Sequence, residues 1–167
     1  MAFLLGILAV ITFLLSFQLK SRRNILIVNL TSRFLYILQY LVLGAFEGAV
    51  LDFMGFLSSF VARYKERPFF TRHFIWIIGI INLCLVAVGL VLYENIFSLF
   101  AIFGIVFEVT ALWLTREKNI RILSLVAAPF WLVYNFVNGA YGSVIGNVLV
   151  IVSILIAMFR LDFKKRT

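Results

Sequence analysis

Seven runs of apolar sequence, at 3–19, 24–43, 46–62, 73–92, 96–114, 120–138 and 142–159, take up most of the chain. A helix rises about 1.5 Å per residue and a bilayer's hydrocarbon core is about 30 Å thick, so a crossing takes about 17 to 25 residues. Each run has that length, and the short connections, marked by charge, glycine or asparagine, are too small to fold alone. With 64% hydrophobic and 13% charged residues and a mean hydropathy of +1.11, the chain lies far from the roughly 25% charged composition of soluble domains. A water-soluble domain is excluded, and an all-α transmembrane protein of seven helices is expected.

Charge orients the helices. When alternate connections are assigned to opposite faces, one face collects Lys20, Arg22, Arg23, Arg63, Lys65, Arg67, Arg72, Arg116, Lys118, Arg121, Arg160, Lys164, Lys165 and Arg166, all but one of the 15 Lys and Arg. The other face has none, so the positive-inside rule predicts the N-terminus outside and the C-terminus in the cytoplasm. A net charge of +8 would suggest nucleic acid in a soluble chain, but here it marks orientation and no nucleic-acid partner is expected. The first run lacks a basic n-region and a small-residue cleavage site, so it is read as a retained span. The one Asn-x-Thr match, Asn29-Leu30-Thr31, lies inside the second run, which fits a bacterial inner membrane.

Sliding the chain by 95 residues aligns 16–65 with 111–160 without a gap. Leu19 then meets Leu114, Asn24-Ile25 meets Asn119-Ile120, Gly44-Ala45 meets Gly139-Ala140, and Ser58 and Ala62 meet Ser153 and Ala157. The same register superimposes the ends of the runs. The expected organisation is a first three-helix repeat at 1–65, a linker with the fourth helix at 66–95, and a second three-helix repeat with a basic tail at 96–167. The odd connector leaves the two repeats parallel, related by an axis along the membrane normal.

This three-plus-one-plus-three plan resembles the SWEET and PQ-loop superfamily. The segments from Tyr40 through Gly44-Ala45-Phe46-Glu47-Gly48 to Asp52, and from Asn138-Gly139-Ala140 to Gly146-Asn147, are similar to the YgjV-type bacterial inner membrane proteins. The Pro-Gln pair of PQ-loop proteins is absent, and the only prolines are Pro68 and Pro129. The superfamily resemblance implies a substrate sandwiched by an aromatic side chain and an amide, here Trp131 and Asn147, and through the repeat Tyr36 and Asp52.

Three charged residues fall well in from the ends of the runs: Arg33, Asp52 and Glu108. Such groups are costly in hydrocarbon and are functional candidates. Guanidinium stays protonated, so Arg33 needs a carboxylate partner. Arg33 and Glu108 lie at depths within about 5 Å of each other, counted at 1.5 Å per residue. Glu108 is therefore the preferred partner, and Asp52 is left for an outer vestibule or for coupling to a proton or cation. Asn29, Ser32, Arg33, Tyr36 and Tyr40 share one stripe of the second run, and the same stripe of the sixth, 95 residues on, carries Ser124, Ala128, Trp131, Asn135 and Gly139. The candidate substrate-binding set is Trp131, Asn147, Arg33, Tyr36, Asn135 and Asp52; the candidate charge-pair or coupling set is Arg33, Glu108 and Asp52.

Gly44 with Gly48, and Gly142 with Gly146, have the small-xxx-small spacing of close helix contacts. His73 beside Arg72 reads as an interfacial anchor. Cys84 is the one cysteine, so no disulfide or thiolate metal site is expected, and no cofactor is implied. No nucleophile stands near a base and no glycine-rich phosphate loop occurs, so an enzyme is not expected. The function expected is transport of a small polar metabolite through a midplane cavity, the alternative a non-transporting receptor or accessory subunit. The expected partners are the bilayer, that small molecule and a second copy of the chain.

Overall fold

A computed structural model describes residues 1–16, 22–62 and 64–160, without the side chains at 16, 22–26, 29 and 117. Lys20, Arg63, Lys164, Lys165 and Arg166, and the side chains of Arg22, Arg23 and Asn29, lie outside the described residues. Within them the fold is entirely helical: α1 (Ala2–Ser16), α2 (Arg22–Leu43), α3 (Phe46–Ala62), α4 (Pro68–Arg72), α5 (Phe74–Val91), α6 (Ser98–Trp113), α7 (Glu117–Val137) and α8 (Tyr141–Met158). Seven follow the seven apolar runs. The eighth, α4, is a single turn in a connection expected to be irregular, and it begins at Pro68. Proline suits that position because its missing N–H would have no helical partner there.

By length and composition, 74–91, 118–137 and 141–158 are apolar enough to cross a membrane. Ala2–Leu15, Leu30–Leu43 and Ser98–Trp113 are shorter apolar stretches, and α3 carries Glu47 and Asp52. The long helices form one closed ring. Helix α1 packs on α2, α2 on α3, α3 on α6, α6 on α7, α7 on α8, and α8 returns to α1. Helix α5 lies outside the ring against α3 and α6.

The ring is polar inside and apolar outside. Ser32, Arg33, Gln39, Glu47, Asp52, Asn135 and Ser143 are buried, while Phe3, Leu8, Phe34, Phe53, Ile75, Trp76, Leu83 and Val152 are exposed. Soluble proteins rarely expose contiguous apolar surface on that scale, so the outer face is built for lipid.

Two turns close α2 onto α3 and α7 onto α8 with the same geometry. Gly44 has φ 74° and Gly139 φ 70°, the left-handed conformation that glycine adopts without strain. Ala45 N–H donates to Tyr40 O at 3.0 Å, and Ala140 N–H donates to Asn135 O at 2.8 Å. A Cβ at either glycine would meet nothing within 4 Å, so the Gly44 expectation is corrected: Gly44 makes a turn and no helix contact. The other three glycines do sit at close approaches. A Cβ at Gly48 would lie 2.8 Å from the Tyr134 ring, at Gly142 2.8 Å from Gly6 Cα, and at Gly146 2.5 Å from Val10. His73 joins α4 to α5, its Nδ1 lying 3.0 Å from Phe69 O.

Candidate functional site

The interior of the ring holds a cavity of about 580 Å³. It extends from Tyr40, Asn135 and Ser143 to Leu112, Ile120, Arg121 and Ala157. The first group lies near the Gly44 and Gly139 turns; the second lies where α6 ends, α7 begins and α8 ends. Arg33, Tyr36, Asp52, Glu108, Trp131, Asn135 and Asn147 all line it. The charges within apolar runs, the polar stripes and the superfamily resemblance brought these residues forward, and the ring brings them around one space.

Arg33 stands at the centre of the polar cluster. Its Nη1 donates to Asp52 Oδ1 at 2.9 Å and its Nη2 to Glu108 Oε1 at 2.5 Å. One guanidinium thus joins α2 to both α3 and α6. Asp52, expected to be left over near an outer vestibule, is instead buried and is the second partner of Arg33. The reason is angular: Arg33 projects between α3 and α6, and the guanidinium fork presents two ends to two acceptors. Such a pairing offsets the desolvation of groups that would be costly alone.

Glu108 is held from a second side. Trp131 Nε1–H donates to its Oε2 at 2.9 Å, so α7 joins the cluster. The indole leans on α6 at Gly104, where an added Cβ would lie 3.1 Å from the ring. A side chain there would push the indole back by a few tenths of an ångström. Trp131 also stacks on Tyr40 with ring centroids 6.3 Å apart and an interplanar angle of 22°.

Above the charges lies an amide layer. Tyr40 Oη–H donates to Asn135 Oδ1 at 2.7 Å, and Asn135 Nδ2–H donates to Asn147 Oδ1 at 2.8 Å. Tyr36 places its hydroxyl near Gly146, 3.1 Å from where a Cβ would sit. The expected set of Trp131, Asn147, Arg33, Tyr36, Asn135 and Asp52 therefore converges on one cavity, with Glu108 among them. Trp131 and Asn147 both face that cavity, each already bonded to a neighbour.

The end toward the glycine turns is closed by residues absent from the candidate set. Gln39 Oε1 accepts from Ser143 Oγ–H, and Tyr134 Oη accepts from Gly48 N–H at 2.9 Å. Glu47 is buried in the first turn of α3, near Ser98 at the start of α6. Gln39 was legible, since it extends the Ser32–Tyr36 stripe by three residues. Glu47 was not, because a carboxylate in the first turn of a helix reads as an exposed dipole partner. At the opposite end Lys65 Nζ donates to Leu112 O at 3.0 Å and Leu114 O at 2.9 Å, capping α6. Among the described residues, no group of three or more His, Cys, Asp and Glu is placed to hold a metal ion.

A family model described as "Bacterial inner membrane protein", Imp-YgjV, matches residues 1–165. No curated protein and no solved structure matches the chain. A match over nearly all 167 residues, on a ring with a lipid-compatible exterior, leads to one conclusion: the chain belongs to the Imp-YgjV family of bacterial inner membrane proteins.

Proposed function

We propose that the protein is a carrier that moves a small polar solute across the inner membrane by exposing the central cavity to one side and then the other. The observation that carries this reading is the cavity of about 580 Å³, which sets a cluster of charged and amide side chains in a largely apolar wall and is enclosed by helices whose outer faces are apolar. A packed structural bundle has no need of such a space, whereas solute sites in transporters lie between repeats at midplane depth.

In this reading the chain crosses the membrane seven times as two parallel three-helix repeats and a linker helix, in the architecture of the SWEET and PQ-loop superfamily. The ring order supports it, because α1 stands opposite α6, α2 opposite α7 and α3 opposite α8. The hydrogen bond between Tyr40 and Asn135, 95 residues apart, equals the repeat offset, as expected of equivalent side chains meeting near a two-fold axis. The N-terminus faces outward and the basic connections face the cytoplasm. The cavity then reaches toward the cytoplasmic side and is closed on the outside by Tyr40, Asn135, Gln39 and Ser143. Trp131 and Tyr36 pack the solute, Asn135 and Asn147 orient its polar edge, and the Arg33 cluster sets its charge. The carrier needs no cofactor and performs no covalent chemistry.

The test is thermal melting of the purified protein against sugars, nucleosides, carboxylates and amino acids, followed by flux of any hit into proteoliposomes. A ligand that binds only the folded state raises the melting point. The carrier reading expects a hit that is abolished in Trp131→Ala and crosses the bilayer with the wild type. A cooperative melt with no hit across the library, or a hit with no flux, overturns it in favour of a receptor or accessory subunit.

A further inference from the structure

The cavity's own charges specify its solute more narrowly than its polarity does. Arg33 is the cation that an anionic solute would seek, yet both of its terminal nitrogens are committed, Nη1 to Asp52 and Nη2 to Glu108. An incoming carboxylate or phosphate would approach a guanidinium already paired with the buried Asp52 and the half-buried Glu108, and would meet their negative charge beside it. The cluster holds one guanidinium and two carboxylates, so with these groups ionised its interior sum is one negative charge. Arg121 also lines the cavity, but at its far end in the first turns of α7. Trp131, which reaches Glu108, is ten residues further along the same helix, about 15 Å at 1.5 Å per residue. Arg121 is half-buried at the mouth, where water and salt screen it over about 10 Å.

The aromatic lining points the same way. Trp131 gives its N–H to Glu108 and a face to Tyr40, and Tyr40 gives its hydroxyl to Asn135, so the aromatic surface left to a ligand is the rest of the Trp131 ring and that of Tyr36. Aromatic faces attract cations and repel anions through the ring quadrupole, most strongly in a desolvated space. The remaining groups, Asn135 and Asn147, are amides that accept or donate and discriminate no charge.

We infer that the cavity takes a solute carrying one net positive charge, an ammonium-bearing polyol or amine, seated between the Asp52–Arg33–Glu108 cluster and the Trp131 and Tyr36 rings. This rests on the carrier reading and deepens it. The solute completes the charge balance that the chain leaves open, so binding replaces an uncompensated interior charge with a neutral assembly. An anion would add a second negative charge, and a neutral solute would leave the first unanswered.

The experiment uses a matched trio of one size and differing in charge: N-methylglucamine, sorbitol and gluconate. Apparent Kd values come from melting curves of the full-length protein in detergent and in nanodiscs, in choline-free and sodium-free buffer. Wild type is expected to bind N-methylglucamine at least tenfold more tightly than sorbitol or gluconate. Choline is expected to surpass its uncharged isostere 3,3-dimethylbutanol by a similar factor. Asp52→Asn, which brings the interior sum to zero, is expected to erase the preference of N-methylglucamine over sorbitol. The double variant Asp52→Asn with Glu108→Gln is expected to favour gluconate.

Equal affinities in wild type, a preference for gluconate, no shift with any member, or sorbitol binding that appears only on adding sodium would each overturn the inference. The wild-type comparison decides without any variant, so a misfolded Asp52→Asn leaves the test intact. Sorbitol or gluconate binding that Trp131→Ala abolishes would overturn the charge assignment and leave the carrier standing. An absence of any ligand from the broader library removes both.

Discussion

Helices α2 and α7 both line the cavity and carry opposite chemistry. At positions 95 residues apart, Ser32 and Arg33 on α2 correspond to Ala127 and Ala128 on α7, Tyr36 to Trp131, and Tyr40 to Asn135. Both helices end at a left-handed glycine, Gly44 or Gly139. Both bury the stripe: Arg33 is 8% exposed and Ala128 5%. One side therefore supplies charge and length, and the other supplies small volume and flat aromatic surface. The difference explains the cavity, because an arginine opposite a second large side chain would fill the space that Ala127 and Ala128 leave open. Complementary side chains on the two helices make a site that neither helix could make with a copy of itself.

Arg33→Ala should break this comparison most severely. It strands the buried Asp52 and the half-buried Glu108 without a cation, with an expected loss of about 3–5 kcal/mol, the range for breaking one partner out of a buried ion pair. Denaturation in detergent measures it. A loss under 1 kcal/mol would mean that water already solvates the cluster and that α2 contributes no more to stability than α7 does.

Trp131→Phe removes the one bond from α7 to the charged cluster, the Nε1–H to Glu108. A hydrogen bond to a charged group contributes about 1.5–3 kcal/mol, so a loss of that size is expected in the melt together with weakened ligand response. Unchanged stability would show that Glu108 is anchored by Arg33 alone.

Gly44→Ala and Gly139→Ala sharpen the shared part of the plan. Each places a Cβ in open space, so the cost is conformational only, about 1–2 kcal/mol. The two losses should agree to within measurement. A large difference between them would show that the two turns are equivalent in φ and not in energy.

Ala128→Leu has the smallest expected effect on stability, within about 1.5 kcal/mol, because the added side chain enters an existing cavity. It should nonetheless abolish the ligand-induced rise in melting temperature. Retained ligand response would place the solute away from Ala128 and nearer the amide layer of Asn135 and Asn147.

Most of the helical framework was legible. The run at 46–62 coincides with α3, and the others meet their helices within about three residues at the ends that are described. Hydropathy is a local property, and a helix in lipid must satisfy its backbone internally, so length and apolarity reveal it. Helix α4 escaped because one turn has no hydrophobic period to read. The candidate residues were legible as types and depths: a lone arginine, two carboxylates, and an aromatic and amide stripe. Their partnerships were only partly so. Depth counting paired Arg33 with Glu108 and missed Asp52, because rise along an axis gives height and leaves the angle around the ring undetermined. Glu47, Tyr134 and Ser143 were missed for the same reason, since each is buried by a neighbour from another helix.

The sequence by itself determined that this is an all-helical chain with a lipid-facing exterior, where its glycine turns fall, and that a cation and two anions must be accommodated among apolar helices. Those follow from composition and spacing, which act through solvent transfer and backbone geometry along the chain. Only the tertiary structure decided that α3 meets α6 and α8 meets α1 to close a ring, that Arg33 spends both ends on carboxylates, and that Ala127 and Ala128 stand where space is needed. These depend on the angles at which helices pack, and such angles are fixed by all the contacts together.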